Sequence, residues 1–568
     1  MNPIKSFQTL FLSLFLLILA SSEISAQTGT PKAYENGLVV SATQQASEAG
    51  VEMLKRGGNA VDAAVATHFA LAVTYPAAGN IGGGGFMVLH LRNGEQQTLD
   101  FREVAPTSTD KKDYVDSNGE PNDNTVKGPL SIGVPGSVHG MLKALQQYGT
   151  MPVDLVLEPA IKLAREGFHL SYEEARRLNR TRDTFLEYES TSKYFVKSDS
   201  TDYSEGELFV QKDLARTLER IAQFGIPGFY NGITADLIER QMQQLNGNVT
   251  REDLSGYESV WRKPVSFKYR DFDIISMPPP SSGGIALAQM LNMIEPYPVD
   301  SYDWNGKDYL HLLTEAQKRA YADRAYFLGD PDHVSQPTPL LINKSYAKKR
   351  MNNFKWDKAT PADEISHGDV PYFEESLETT HFSVIDNQGN AVSVTTTLNS
   401  GYGSKIVVDG AGFFLNNEMD DFSVQPGVPN QFGLIGGKAN EIAPNKRMVS
   451  SMTPTIVLKD RKPYLILGTP GGSTIITTVL QVFLNVTEFD MNIQQAVSAP
   501  RVHHQWRPEE IYVDPYAVSP TVKRELMQLG HIFAERGYYV GRADCIQIKD
   551  GMFYGGADPR GSDYAAGY

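Results

Sequence analysis

The chain has a single cysteine, Cys545, so no disulfide can close within it and the folded state must be held by its core. It has no basic excess either. Against 67 Asp and Glu stand 52 Lys and Arg, a formal charge of −15, so binding to a phosphate backbone would lack the counterion release that drives it. Nucleic acid is not an expected partner. The N-terminal apolar run, residues 10–20 (LFLSLFLLILA), falls well short of the roughly 20 residues needed to span a bilayer. Between Lys5 and the small-residue sequence SEISAQ it reads as an export signal cut after Ala26, leaving no stable membrane anchor. The serine-hydrolase motif Gly-x-Ser-x-Gly, the zinc motif His-Glu-x-x-His and the Walker A phosphate loop are all missing. What is present is apolar material: 41% of 568 residues are hydrophobic and 10% aromatic, enough for a large core.

Periodicity predicts a strand over 37–41, a helix over 46–55 and a very apolar, buried helix over 60–73. The glycine run GNIGGGGF (79–86) reads as a tight turn leading into a hairpin, 86–91 with 97–101, whose RNGE turn carries the Asn-Gly signal. The middle third, 130–358, is expected to be mainly helical and polar. The acid-rich sequence 358–378, with Pro361 and Pro371, is expected to be an exposed loop. Beyond Thr379 the character turns to strands: a hairpin, then GAGFFLNNEMDDF (410–422), then TPTIVLKDRKPYLILGTPGG (453–472) running into an apolar helix over 474–484. Strands at both ends of the chain with helices beside them predict layered sheets flanked by helices. His503 and His504, adjacent on a strand, would face oppositely and read as structural rather than metal-binding.

The hairpin HFSVID-NQG-NAVSV carries the chemistry. A three-residue loop with Gly389 at positive φ pairs Asp386 with Asn390, and that register sets Ser383 opposite Ser393, His381 opposite Thr395 and Thr379 opposite Thr397. Alternation then gathers Phe382, Val384, Val392 and Val394 on one face and Thr379, Ser383, Ser393, Thr397 and Asn399 on the other. A threonine hydroxyl needs a base before it can attack. If the chain is cut before Thr379, the new α-amino group, with a pKa near 7.7 to 8.0, supplies that base. The β-methyl restricts χ1 and so holds the oxygen's aim.

From about residue 33 to 568 the sequence resembles the γ-glutamyltranspeptidases, N-terminal nucleophile hydrolases that cleave themselves. The matching pieces are DFREVAP, TTHFSVID, TLN, LNNEMDDF, PNKRMVSSMTPT and GTPGGS, six in family order. The resemblance implies an α+β, four-layer αββα sandwich shared by two fragments. It implies self-cleavage between Glu378 and Thr379, a signal peptide over 1–26, a large subunit over 27–378 and a small subunit over 379–568. Thr379 is then the nucleophile, Thr397 its partner hydroxyl, and Gly471 and Gly472 the oxyanion donors.

A γ-glutamyl group presents an α-carboxylate and an α-ammonium, so its pocket needs a cation with donors on one side and acceptors on the other. Arg102 with Ser450 and Ser451 fits the carboxylate. Asn399, Glu418 and Asp421 fit the ammonium, as their motif positions imply. Phe432 stands where many bacterial members carry tyrosine in the lid loop, and it cannot donate a hydrogen bond to Asn399. The expected activity is γ-glutamyl transfer from glutathione and related amides, through an ester on Thr379, to water or to amino-acid and peptide acceptors. No metal or organic cofactor is expected, and the site is periplasmic or secreted. Two other readings stay open: an acylase of the same fold acting on glutaryl or other side chains, and an exported binding protein that keeps the pocket without the chemistry.

Overall fold

A computed structural model describes residues 29–366, 379–431, 433–535, 537 and 539–568. The signal sequence, Glu378 and Phe432 lie outside the described residues. Two seven-stranded antiparallel sheets form the centre. The first runs Tyr564–Gly567, Gly37–Ser41, Thr380–Asp386, Ala391–Thr397, Gly84–His90, Gln96–Phe101, Val260–Arg262. The second runs Ala33–Tyr34, Met552–Ala557, Asp544–Lys549, Lys462–Leu467, Thr455–Lys459, Phe272–Ser276, Val265–Tyr269. Both sheets therefore combine strands from before and after Thr379.

The expected hairpin register is the observed one. Thr380 faces Thr396, His381 faces Thr395, Ser383 faces Ser393, and Gly389 has φ +86°. Its apolar face packs outward against helix Ala60–Thr74, in one cluster holding Phe382, Val384, Val392, Val394, Ala63 and Phe69. That helix starts where Asn59 caps the N–H groups of Val61 and Asp62 while Asp62 returns a bond to Asn59. Every one of its residues is buried, as its unbroken apolarity predicts. The opposite, hydroxyl-bearing face meets the second sheet. Ser383 Oγ donates to Asp544 O (2.8 Å) and Ser393 Oγ to Leu467 O (3.0 Å), so polar side chains join the two sheets. Further out the interface is apolar, through Val40, Val88, Ile456 and Ile466. Helices Gly283–Ile294, Lys307–Phe327 and Thr474–Thr487 cover the outer face of the second sheet. The order is helix, sheet, sheet, helix, the four-layer αββα arrangement.

The middle third is mainly helical, as expected, but it also supplies Val260–Arg262 to one sheet and the hairpin Val265–Tyr269, Phe272–Ser276 to the other. Charges in SFKYRDFD mask that strand pattern because Val265–Tyr269 is an edge strand with solvated side chains. The segment 410–422 is not a strand. One bridge, Val407 to Phe414, precedes a 3₁₀ turn at Glu418–Asp421, because the Asn416 side chain bonds Gly82 O and Gly133 O instead of joining a ladder. Residues 359–365 are not an exposed loop either. Ala359, Thr360, Ala362 and Ile365 are buried, and Thr360 O accepts from Lys318 Nζ.

The glycine run is a close approach of backbones. A Cβ on Gly83 would lie 2.0 Å from Thr397 O, and one on Gly82 would lie 2.1 Å from Phe414 O. Only glycine lets this turn press against the end of the hairpin. Among the described residues no helix is long and apolar enough to cross a membrane.

Candidate active site

The end of the hairpin holds the Thr379 hydroxyl. Thr379 Oγ1 donates toward Thr397 Oγ1 at 3.5 Å, and Thr397 Oγ1 accepts the Asn399 N–H at 2.7 Å. Thr397 thus links Thr379 to Asn399, which sits at φ +75°, a left-handed conformation that asparagine tolerates better than most residues. Thr380 is buried on the other face with no hydrogen bond to its hydroxyl. His381, the histidine on the same face as Thr379, is not available as a base. Its Nδ1 bonds Thr395 Oγ1 (2.9 Å), its Nε2 bonds Ser383 Oγ (3.1 Å), and burial pushes its pKa down to about 3.

Thr379 and Gly471 line one cavity of about 340 Å³. Gly471 (φ +135°) and Gly472 (φ +51°) turn the chain from strand Lys462–Leu467 into helix Thr474–Thr487. Their carbonyls accept from the Thr474 and Ile475 N–H groups, while their own N–H groups have no acceptor among the described residues. Two free amides beside a hydroxyl are suited to a developing oxyanion. A side chain on Gly471 would meet Thr474 Oγ1 at 2.5 Å.

Beyond Asn399 lies a buried charge cluster. Arg102 follows strand Gln96–Phe101, and its N–H is fixed by Asp100 Oδ1 (2.9 Å). Its guanidinium bonds both Glu418 and Asp421, reaches Val449 O (3.3 Å) and lies 3.5 Å from Glu103. The residues expected to bind opposite ends of one ligand are here paired with one another. Burial works against the Arg102 charge, but Glu418, Asp421 and Glu103 outweigh it and raise its pKa. Burial also raises Glu418 and Asp421 above the ordinary carboxylate range and takes Glu103 to about 7 against the pull of Arg102. Glu418 Oε2 and both Glu103 oxygens are buried without a donor. A proton or an ammonium would satisfy them.

Ser450 and Ser451 follow directly. Ser450 Oγ accepts the Met452 N–H (3.1 Å), and Ser451 Oγ accepts from Arg324 Nη2 (3.1 Å). Sequence reasoning missed Arg324. It is buried, with Nε on Ser282 Oγ (2.9 Å) and no carboxylate in ion-pair range among the described residues. It lies on helix Lys307–Phe327, in the stretch expected to be helical and polar, and nothing local marks it out.

Asp420 was missed as well. It is buried, and both its oxygens lie 3.3 Å from the Gln431 N. Burial, reinforced by the Asp421 charge, raises it to about 7. An unfolded aspartate loses its proton near pH 3.9, so between about pH 4 and 7 the native state holds the extra proton and this group's stabilisation drains away as pH rises. Asp420→Asn is expected to remove that slope. Its urea midpoint should gain on the wild type as pH goes from 4.5 to 7.5, by up to about 1.4 kcal/mol per pKa unit. Parallel pH profiles would refute the assignment.

Among the described residues one group has metal-ligand geometry, His311, Glu315 and His531. Its histidines bond each other (2.7 Å) and its carboxylate already pairs with Lys318 and Arg319, so its charge is balanced without a cation. His503 bonds Thr477 (2.8 Å) and Gln505 (2.9 Å) within the core, in keeping with a structural role.

Residues 46–568 match the family model described as gamma-glutamyltranspeptidase. The chain is 45% identical over 542 residues to the glutathione hydrolase proenzyme of Escherichia coli K12, covering 95% of this chain and 93% of that protein. Among solved structures, the cephalosporin acylase from Bacillus halodurans superposes with a TM-score of 0.85 at 26% identity, over 96% of this chain and 98% of that one. The Helicobacter pylori gamma-glutamyltranspeptidase matches at 48% identity and a TM-score of 0.58, over 59% of this chain and 97% of that one. With a hydroxyl at a hairpin end, two free amides and a buried arginine–carboxylate cluster in a four-layer sandwich, the chain belongs to the gamma-glutamyltranspeptidase family.

Proposed function

We propose that Thr379 is the nucleophile of a self-processing γ-glutamyltransferase and glutathione hydrolase. The observation that carries this is the placing of Thr379 Oγ1 between Thr397 Oγ1 and the cavity it shares with Gly471, while His381 is engaged elsewhere. The precursor cleaves between Glu378 and Thr379, giving fragments 27–378 and 379–568. Because each sheet is built from strands of both fragments, they stay together as a heterodimer. The freed α-amine of Thr379 takes the hydroxyl proton as Oγ1 attacks the γ-carbonyl. The N–H groups of Gly471 and Gly472 stabilise the oxyanion. The proton then passes to the leaving amine, and water or an amino-acid or peptide amine attacks the ester.

The donor's α-carboxylate binds Arg102 with Ser450 and Ser451, and Arg324 adds positive charge through Ser451. The α-ammonium binds Asn399, Glu418 and Asp421, where the buried and unbonded Glu418 Oε2 is the waiting acceptor. An acylase for plain glutaryl groups would leave those carboxylates facing a chain with no cation. The protein is exported to a periplasm or medium. A denaturing gel with N-terminal sequencing, together with an assay on a γ-glutamyl anilide, tests the whole reading. The expected result is a fragment beginning at Thr379 and release of the aniline; an intact chain that releases none sinks it.

A further inference from the structure

The cavity that holds Thr379 is lined by four arginines, Arg177, Arg180, Arg542 and Arg560, and among the described residues by no carboxylate. In a chain of formal charge −15 this is a local reversal of sign. None of the four belongs to the arginine–carboxylate cluster described above. Arg560 is held by Asp514 and Asp558, and Arg542 by Asp563. Arg542 also donates to Tyr75 Oη (3.2 Å), and the Tyr75 ring lies 5.0 Å from its guanidinium and 5.3 Å from that of Arg177.

Arg180 differs from the rest. It sits three residues after Arg177 on helix Tyr172–Phe185, hence on the same face, and it is exposed with no ion pair among the described residues. Arg177 and Arg180 also line a second cavity of about 430 Å³, whose wall adds Lys127 and Lys405 and, among the described residues, one acid, Glu187. The basic surface therefore runs outward from the nucleophile.

We propose that Arg180, seated beside Arg177, forms a carboxylate subsite for the peptide that leaves or accepts the γ-glutamyl group, and so selects peptides with a free C-terminal carboxylate. This rests on the γ-glutamyl reading above. The leaving nitrogen of a γ-glutamyl dipeptide lies at Thr379, and two extended residues carry the terminal carboxylate at most about 7 Å further out. That places an anion in a cavity walled by guanidinium groups, the side chain best matched to a carboxylate. The same subsite serves departing peptide and incoming acceptor, because both are amines joined to a C-terminal carboxylate.

The test is the ratio of kcat/KM for glutathione to that for a γ-glutamyl anilide, whose leaving group carries no charge. Arg180→Gln should lower the ratio about threefold and Arg180→Glu about tenfold, the scale of losing and reversing an exposed ion pair, with Arg180→Lys restoring most of it. In the wild type, the C-terminal amide of glutathione should already show the lower ratio, a measurement that needs no variant to fold. An unchanged ratio in Arg180→Glu, or equal kcat/KM for glutathione and its amide, would overturn the subsite while leaving the activity standing. A wild type inert toward anilide and glutathione alike would overturn the γ-glutamyl reading itself.

Discussion

Thr379→Ala is expected to remain one uncleaved chain and to lose turnover of γ-glutamyl anilide by about 10⁴-fold or more, the scale of removing a nucleophile from a covalent catalyst. Both losses have one cause. In the proposed mechanism one hydroxyl attacks both the donor's γ-carbonyl and the peptide bond before Thr379, so without it neither bond breaks. Stability should change little, since the site loses one hydroxyl whose contact to Thr397 is long, 3.5 Å. Thr379→Ser keeps the oxygen but loses the methyl that restricts χ1, and should mature slowly with partial activity. A gel and a progress curve decide the matter. Cleavage of the alanine variant at the same bond would show that another group is the nucleophile.

Arg102→Gln is expected to damage folding and binding together. The guanidinium is the common partner of Glu418 and Asp421 and lies 3.5 Å from Glu103, all in the interior. Removing the cation leaves buried carboxylates uncompensated, a loss of about 3–5 kcal/mol. The carboxyls escape part of that by holding protons, which pushes their folded pKa values further above the unfolded ones. The variant's stability should therefore be best in acid and fall as pH rises above about 4.3, where unfolded glutamates ionise. Urea midpoints at pH 5 and pH 8 read this directly. In the same variant KM for a γ-glutamyl donor should rise about 10- to 100-fold, because on the proposed binding mode the α-carboxylate loses a charged hydrogen bond worth roughly 1.5–3 kcal/mol. Midpoints equal to the wild type at both pH values, with an unchanged KM, would remove Arg102 from the site.

The hairpin was legible because its information is local. Gly389 fixes the turn, the turn fixes the register, and alternation then separates Phe382 from His381. Helix Ala60–Thr74 was legible for the same reason, through its cap and unbroken apolarity. The hairpin Val265–Tyr269, Phe272–Ser276 was not, since an edge strand's outward charges break the apolar alternation that marks a strand. Helix Lys307–Phe327 lies in the stretch expected to be helical and polar, yet its Glu315, Lys318, Arg319 and Arg324 are all buried because they find polar partners in the fold.

The sequence by itself determined that Thr379 and Thr397 share a face, because strand alternation acts over neighbouring residues and does not depend on what packs above it. Only the tertiary structure decided that Arg102 is locked between Glu418 and Asp421, more than 300 positions away, that Arg324 stands behind Ser451, and that four arginines line the cavity of Thr379. Charges so far apart in the chain acquire their partners, and hence their pKa values, only when folding removes the water between them.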